Sequence, residues 1–176
     1  MVKLKTLDDV YELLDRQGAD KHLLRHIEMV QEAAEILIHK YRQLKLSVDE
    51  NFIVFGVCIH DIGKIKYSQE LFAVGDRHEK EGQRLLLTLG VDPKLARCCI
   101  SHGKWKEMNC SLEELTIALA DKLWKGKRVQ ELELEIINRI TMLLNDEKWK
   151  LFLEMDTTFE RIASSGDDRL NRSRII

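Results

Sequence analysis

Proline occurs once in this chain, at Pro93, and glycine only nine times in 176 residues. A chain so poor in breakers reads as helices joined by short turns, and it excludes proline-rich and glycine-rich linker architectures. Long apolar runs are absent too, so no stretch is suited to crossing a bilayer. The N-terminal MVKLKTLDDVYELLDRQG is charged and amphipathic and lacks the apolar core of a secretory signal. None of the four cysteines (Cys58, Cys98, Cys99, Cys110) forms a CxxC pair. Buried, reduced thiols in a cytoplasmic protein are therefore expected. Charge of one sign is lacking as well: the formal net charge is −2, which argues against a dedicated nucleic-acid binder.

The chain does contain enough apolar residues (44%) for a packed core, and 33% charge for its surface. Its length suits a single domain spanning 1–176, with a core at about 20–128, further helices at about 129–163 and a polar, frayed tail at 164–176. Helix starts are expected at Thr6, Asp20, Asp76 and Asp92, the last with Pro93 in first position. Capping boxes are expected at Ser47/Glu50 and Ser111/Glu114. Gly18 and Gly90 read as stops. The most apolar run, FIVFGVCIHDIG, is expected to be a buried helix. The helices after Val129 suit either a cover for the core or a homodimer face.

That apolar run ends in His60 and Asp61. Packing needs no such pair, and a buried carboxylate is costly unless it is paired or bound to a cation. Asp121 repeats the pattern at the end of TIALAD, and His26 sits on the apolar face of its own helix. His78 and His102 complete a set of four histidines and two aspartates. Imidazole suits first-row metals, and an aspartate with two oxygens can bridge two ions. His22, four residues before His26, lacks the glutamate of a zinc-protease helix and is read as facing solvent or standing behind the ligands. His39 reads as a surface residue. Asp76 and Glu79 can orient imidazoles, although Glu79 is expected to face water.

Basic residues cluster near these candidates. Lys64 lies one turn past His60, and Lys122, Lys125, Lys127 and Arg128 follow Asp121 without an acid among them. If the helix runs on through Gly126, Asp121, Lys125 and Arg128 share one face. Lys64, Lys122, Lys125 and Arg128 are thus candidate phosphate contacts, with Asp61 and Lys64 in catalytic roles. Arg77 and Lys104 are weaker candidates. Trp105 can stack on a base, serve as a lid or join the core; Trp124 is expected in the bundle.

The order His26, His60-Asp61, Asp121, in the contexts RHIEMVQEAAEIL, CIHDIGKI and IALADKLWKGKR, resembles the HD superfamily of metal-dependent phosphohydrolases. HEKEGQRLL and ISHGKW are similar to the middle segments of members with two metals. The resemblance spans about Arg25 to Arg128. It implies an all-α helical bundle of HD type, here with additional C-terminal helices. It further implies one metal on His26, His60, Asp61 and Asp121, and a second on Asp61, His78 and His102. The implied metals are divalent: iron or manganese first, with nickel, cobalt or zinc as others. The six-residue set is similar to that of bacterial dinucleoside-tetraphosphate hydrolases. It departs from the cyclic-dinucleotide phosphodiesterases, because Gly103 follows His102 and no GYP motif is present. The implied activity is hydrolysis of a phosphate ester or anhydride, of a nucleotide first of all, with a phosphorylated small molecule as the partner. Two alternatives share the ligands: a mixed-valence di-iron oxygenase and a non-catalytic nucleotide-binding module. The complete ligand set argues against the second.

Overall fold

The computed structural model describes residues 3–145 and 147–175, and among them it contains helices and no strand. The bundle is all-α, as expected. Its first helix, α1 (Leu7–Arg16), begins in a full capping box: Thr6 accepts from the Asp9 amide while the Asp9 carboxylate accepts from the Thr6 amide. The long α2 (Lys21–Gln43) starts at Asp20, whose carboxylate accepts from Leu23 N at 2.8 Å. Replacing either cap would cost about 1 kcal/mol.

The helix that follows, α3 (Glu50–Ile59), starts differently from expectation. Asp49, not Ser47, caps it, accepting from Phe52 N at 2.9 Å. Glu50 is drawn away by the Arg42 guanidinium, so it cannot close a box with Ser47. The apolar run is indeed a buried helix, with Ile53, Val57, Cys58 and Ile59 fully enclosed. It gives way after His60 and Asp61 to a tight 3-10 turn over Ile62–Ile65.

Short helices follow: α4 (Arg77–Thr88), α5 (Pro93–Ala96) and α6 (Cys98–Lys104). Asp92 caps α5 and Pro93 occupies its first turn, as expected. Next comes α7 (Leu112–Leu123), opened by the expected Ser111/Glu114 capping box. Every residue of α7 except Glu113 and Lys122 is buried, so it is the axis of the core. It packs against α2, α3 and α6. Deep inside, the Tyr41 hydroxyl meets Thr116 Oγ1 at 2.9 Å, satisfying two polar groups that burial would otherwise strand.

α8 (Gln130–Leu144) and α9 (Lys148–Ser164) pack together and close one side. The tail then departs from expectation. Instead of fraying, Gly166–Ser173 forms α10. Three features hold it down. Its first residue rests against the Gly126 backbone, where a Cβ on Gly166 would come within 2.3 Å of Gly126 N. Arg169 is buried and its guanidinium donates to Trp124 O at 2.9 Å, to Leu123 O at 3.4 Å and to Ile162 O. Arg172 then ties α10 to Glu32 of α2 through two bonds of 2.6 Å. No helix among the described residues is long and apolar enough to cross a membrane. All four cysteines are free and buried, and burial pushes the Cys58 thiol up to about 12.

Candidate metal centre

Five segments deliver the six candidate ligands to one end of the bundle. His26 comes from the first turns of α2, and His60 closes α3. Asp61 opens the 3-10 turn, His78 lies in the first turn of α4, His102 on α6, and Asp121 near the end of α7. All six are buried.

Glycine makes the convergence possible. A Cβ on Gly63 would stand 2.0 Å from His78 O and 2.7 Å from Gly82 N. The turn after Asp61 and the backbone of α4 therefore touch directly, and this contact brings His78 to Asp61. The glycines of HDIGK and HEKEG are the two faces of that contact.

The side chains form two clusters with a common member. In the first, His26, His60, Asp61 and Asp121 point ligand atoms at one another; in the second, Asp61, His78 and His102 do. The two Asp61 oxygens divide the work. Oδ2 lies 2.9 Å from His26 Nε2 and 3.4 Å from His60 Nε2. Oδ1 lies 3.0 Å from His78 Nε2 and 3.6 Å from His102 Nε2. Asp121 Oδ1 completes the first group at 3.7–3.8 Å from His60 and His26.

Three rings are held from behind. His60 Nδ1 donates to Val57 O at 2.7 Å, and His102 Nδ1 to Cys98 O at 3.1 Å. His78 Nδ1 donates to Glu70 Oε2 at 2.6 Å, and its backbone N–H donates to the same oxygen. With the proton fixed on Nδ1, each ring turns the Nε2 lone pair toward the cluster, as metal-binding histidines do. The inward atoms face only one another: His26 Nε2, His60 Nε2, His78 Nε2 and Asp61 Oδ1 are buried, and close as they are to each other they make no hydrogen bond. A native interior holds few such orphans, scattered as Ser101 Oγ and Trp124 Nε1 are here, whereas four aimed together call for an external partner. A cation that accepts imidazole and carboxylate donors meets that need, so the residues present fit a pair of divalent metals.

Electrostatics agree. Burial disfavours charge on His60, yet the Asp61 and Asp121 carboxylates outweigh it and raise the ring to about 9. His102, buried and beside His60, is pushed down to about 3. Burial opposes ionisation of Asp61 and Asp121 as well, but the neighbouring His60 and lysines hold both well below the usual carboxylate range. The pair of carboxylates calls for positive charge; in the second cluster burial keeps His102 neutral, while at His78 burial is outweighed by the Asp61 and Glu70 carboxylates, which raise the ring.

The clusters form the floor of a cleft of about 760 Å³. Lys64, Lys122 and Lys125 line it. Lys64 Nζ is 2.6 Å from Asp61 Oδ2, and Lys122 Nζ 2.7 Å from Asp121 Oδ2. Arg128 is elsewhere, which corrects its expected role. α7 ends at Leu123 and Gly126 turns the chain with φ 77°, so Arg128 leaves the face of Asp121. Its guanidinium is bound by Glu133, Asp156 and Glu160. Arg77 stacks on Tyr67 and does not line the cleft. Trp105 borders a different hollow beside Cys110 and Leu115, so it cannot stack on a ligand at the clusters. Trp124 packs in the bundle as expected, and also meets the His26 ring edge-on at 5.1 Å.

The orienting residue went unrecognised in the sequence. Glu70, not Asp76 or Glu79, holds His78. It sits in a 3-10 turn, Ser68–Leu71, too short for any periodicity to mark it, and only the cost of burying a carboxylate could have singled it out. Asp76 is exposed, and Glu79, expected in water, is buried against Gly103 and lines the cleft. His22 is exposed at the mouth, edge-on to Phe72 at 5.2 Å, and His39 is on the surface.

Comparison with known proteins fits this geometry. Residues 21–125, more than half of the chain, match the family model described as HD domain. A curated protein of Thermoplasma volcanium, named tRNA (cytidine(56)-2'-O)-methyltransferase, is 27% identical over 154 residues. That match covers 77% of this chain and 42% of the other, so the chain spans less than half the length of this relative. No solved structure matches.

Proposed function

Because this chain belongs to the HD domain family, we infer that it is a metal-dependent phosphohydrolase that cleaves a phosphate ester or anhydride, with a nucleotide as the leading substrate class. The observation that carries this reading is the pair of clusters sharing Asp61, with four inward polar atoms left without protein partners. His26, His60, Asp61 and Asp121 would hold one divalent ion, and Asp61, His78 and His102 a second; this mixed imidazole and carboxylate set suits iron or manganese, and nickel, cobalt or zinc as well. Such ions supply Lewis acidity toward phosphoryl oxygens and activate water as the nucleophile.

The chain's own groups do the rest. Asp61 belongs to both clusters, one oxygen turned to each, and so ties their positions together. Lys64, Lys122 and Lys125 present ammonium groups to the non-bridging oxygens and neutralise charge as it builds up. Lys64 Nζ, beside Asp61, is the group best placed to donate a proton to the leaving oxygen. Glu70, Val57 O and Cys98 O keep three imidazoles from turning.

These cations favour phosphoryl transfer over an oxygenase reading with an uncharged organic substrate, which would leave them unused. A non-catalytic binder would not need Glu70 and two carbonyls fixing its rings. The methyltransferase activity in the relative's name is not carried over, since less than half of that protein is matched. The test is elemental analysis of the purified protein with a screen for phosphate release under anaerobic conditions. About two ions per chain and phosphate release without oxygen support the reading; oxygen consumption with no phosphate release would sink it.

A further inference from the structure

The three arginines of the last described segment have different fates. Arg169 is buried under carbonyls, and Arg172 is bound by Glu32 and Asp168. Arg174 is exposed and has no carboxylate partner among the described residues. Together with Leu170 and Ser173, it lines the cleft above the metal clusters. α10 is held in place by Arg169, Arg172 and the Gly126–Gly166 contact, so Arg174 is presented from a fixed support at a place outside the family-matched region.

The other cations of the cleft are already engaged. Lys64 and Lys122 lie on Asp61 and Asp121, and Lys125 stands 3.8 Å from Asp121. The lining holds four carboxylates (Asp61, Glu70, Glu79, Asp121) and four cationic side chains, Arg174 among them. Two divalent ions at the clusters would therefore leave the cleft strongly positive, more so than a single phosphate monoester balances. A volume of about 760 Å³ also exceeds what a lone phosphoryl group needs.

We propose that Arg174 is a specificity residue that binds a second phosphate group of the substrate, remote from the one held at the metal clusters. The proposal rests on the phosphohydrolase reading and deepens it: the substrate class narrows to compounds with two separated phosphates, such as bisphosphates or nucleoside polyphosphates. A guanidinium suits this task because it grips phosphate through two parallel N–H bonds. The body joining the phosphates would lie against Leu71, Phe72, Val74 and Leu170 of the same cleft.

The test uses the full chain reconstituted with manganese and non-hydrolysable probes. Binding of an alkylphosphonate is compared by calorimetry with binding of α,ω-alkane-bisphosphonates of increasing length. The expected result is one length that binds about tenfold tighter than the monophosphonate of equal length, a gain typical of one charge-assisted contact. Arg174→Gln should abolish that gain while leaving the monophosphonate within about twofold, and Arg174→Lys should keep part of it. A gain that persists in Arg174→Gln, or no gain at any length in the wild type, overturns the proposal alone. Failure of the monophosphonate itself to bind the metal-loaded protein overturns the phosphohydrolase reading with it.

Discussion

Two buried polar regions of this molecule differ in one respect. Around Arg169, a charge taken from water is answered from within: three backbone carbonyls of α7 and α9 receive its N–H groups. Around Asp61, four inward atoms have no answer in the protein. Both sites are buried to a similar degree. Completeness, not burial, separates a structural joint from a ligand site. A satisfied charge closes a fold; an unsatisfied constellation of imidazole and carboxylate atoms turned toward one another marks what the protein must take from outside.

The sharpest way to break this contrast is to remove the member shared by both clusters. Asp61→Ala should bring metal content at both positions close to zero, by elemental analysis, and lower turnover by at least about a thousandfold. A metal-loaded, active variant would refute the assignment. At the satisfied site the loss should take another form. Arg169→Met leaves carbonyls unpaired and should lower stability to urea by about 1–3 kcal/mol, with metal content unchanged. If Arg169→Met instead emptied the clusters, the two regions would not be separable.

Subtler changes sharpen the comparison inside the metal site. Gly63→Ala puts a methyl group on the His78 backbone, so it should displace α4 and cost about 1–3 kcal/mol. It should lower occupancy of the second cluster while sparing the first, giving about one ion per chain. Glu70→Gln removes the carboxylate behind His78 and should weaken the second ion by about 10- to 100-fold in a chelator competition. Equal weakening of both ions would mean that Glu70 acts globally rather than on one ring.

The smallest effect concerns the tie between α10 and α2. The Arg172 guanidinium holds the Glu32 carboxyl below its ordinary value. A depressed carboxylate stabilises the fold above its unfolded value of about 4.5 and loses that contribution as pH falls through the folded value. The pair is partly exposed, so it is worth about 0–1 kcal/mol. The protection factors of the α10 amides should therefore fall below about pH 4.5, and Glu32→Gln should remove that fall.

What was legible in the sequence follows the same division. Capping residues such as Thr6, Asp20 and Ser111 announced their helices because each acts within a few residues. The polar residues ending apolar runs, His60-Asp61 and Asp121, announced the site because burying them has no other use. What was hidden depends on contacts made across the fold. Arg169 meets carbonyls far back in the chain, so GDDRLNRS read as a frayed polar tail. Arg128 was placed in the site by carrying helical spacing through Gly126, where the backbone turns left-handed. Glu70 lies in a four-residue 3-10 turn whose position only the packed structure reveals.

The division of Asp61 between two clusters has a thermodynamic consequence. Its Oδ2 serves one group and its Oδ1 the other, so the rotamer that suits one ion is the rotamer the other needs. Were both clusters loaded, the two binding equilibria would be coupled through one side chain. The first ion would bear the entropy of fixing it, while the charge of each ion would oppose the other, and by reciprocity each would change the other's affinity by the same factor. Titration of the metal-free protein should therefore depart from that of two independent sites, and the direction of the departure reads out which of the two effects is larger.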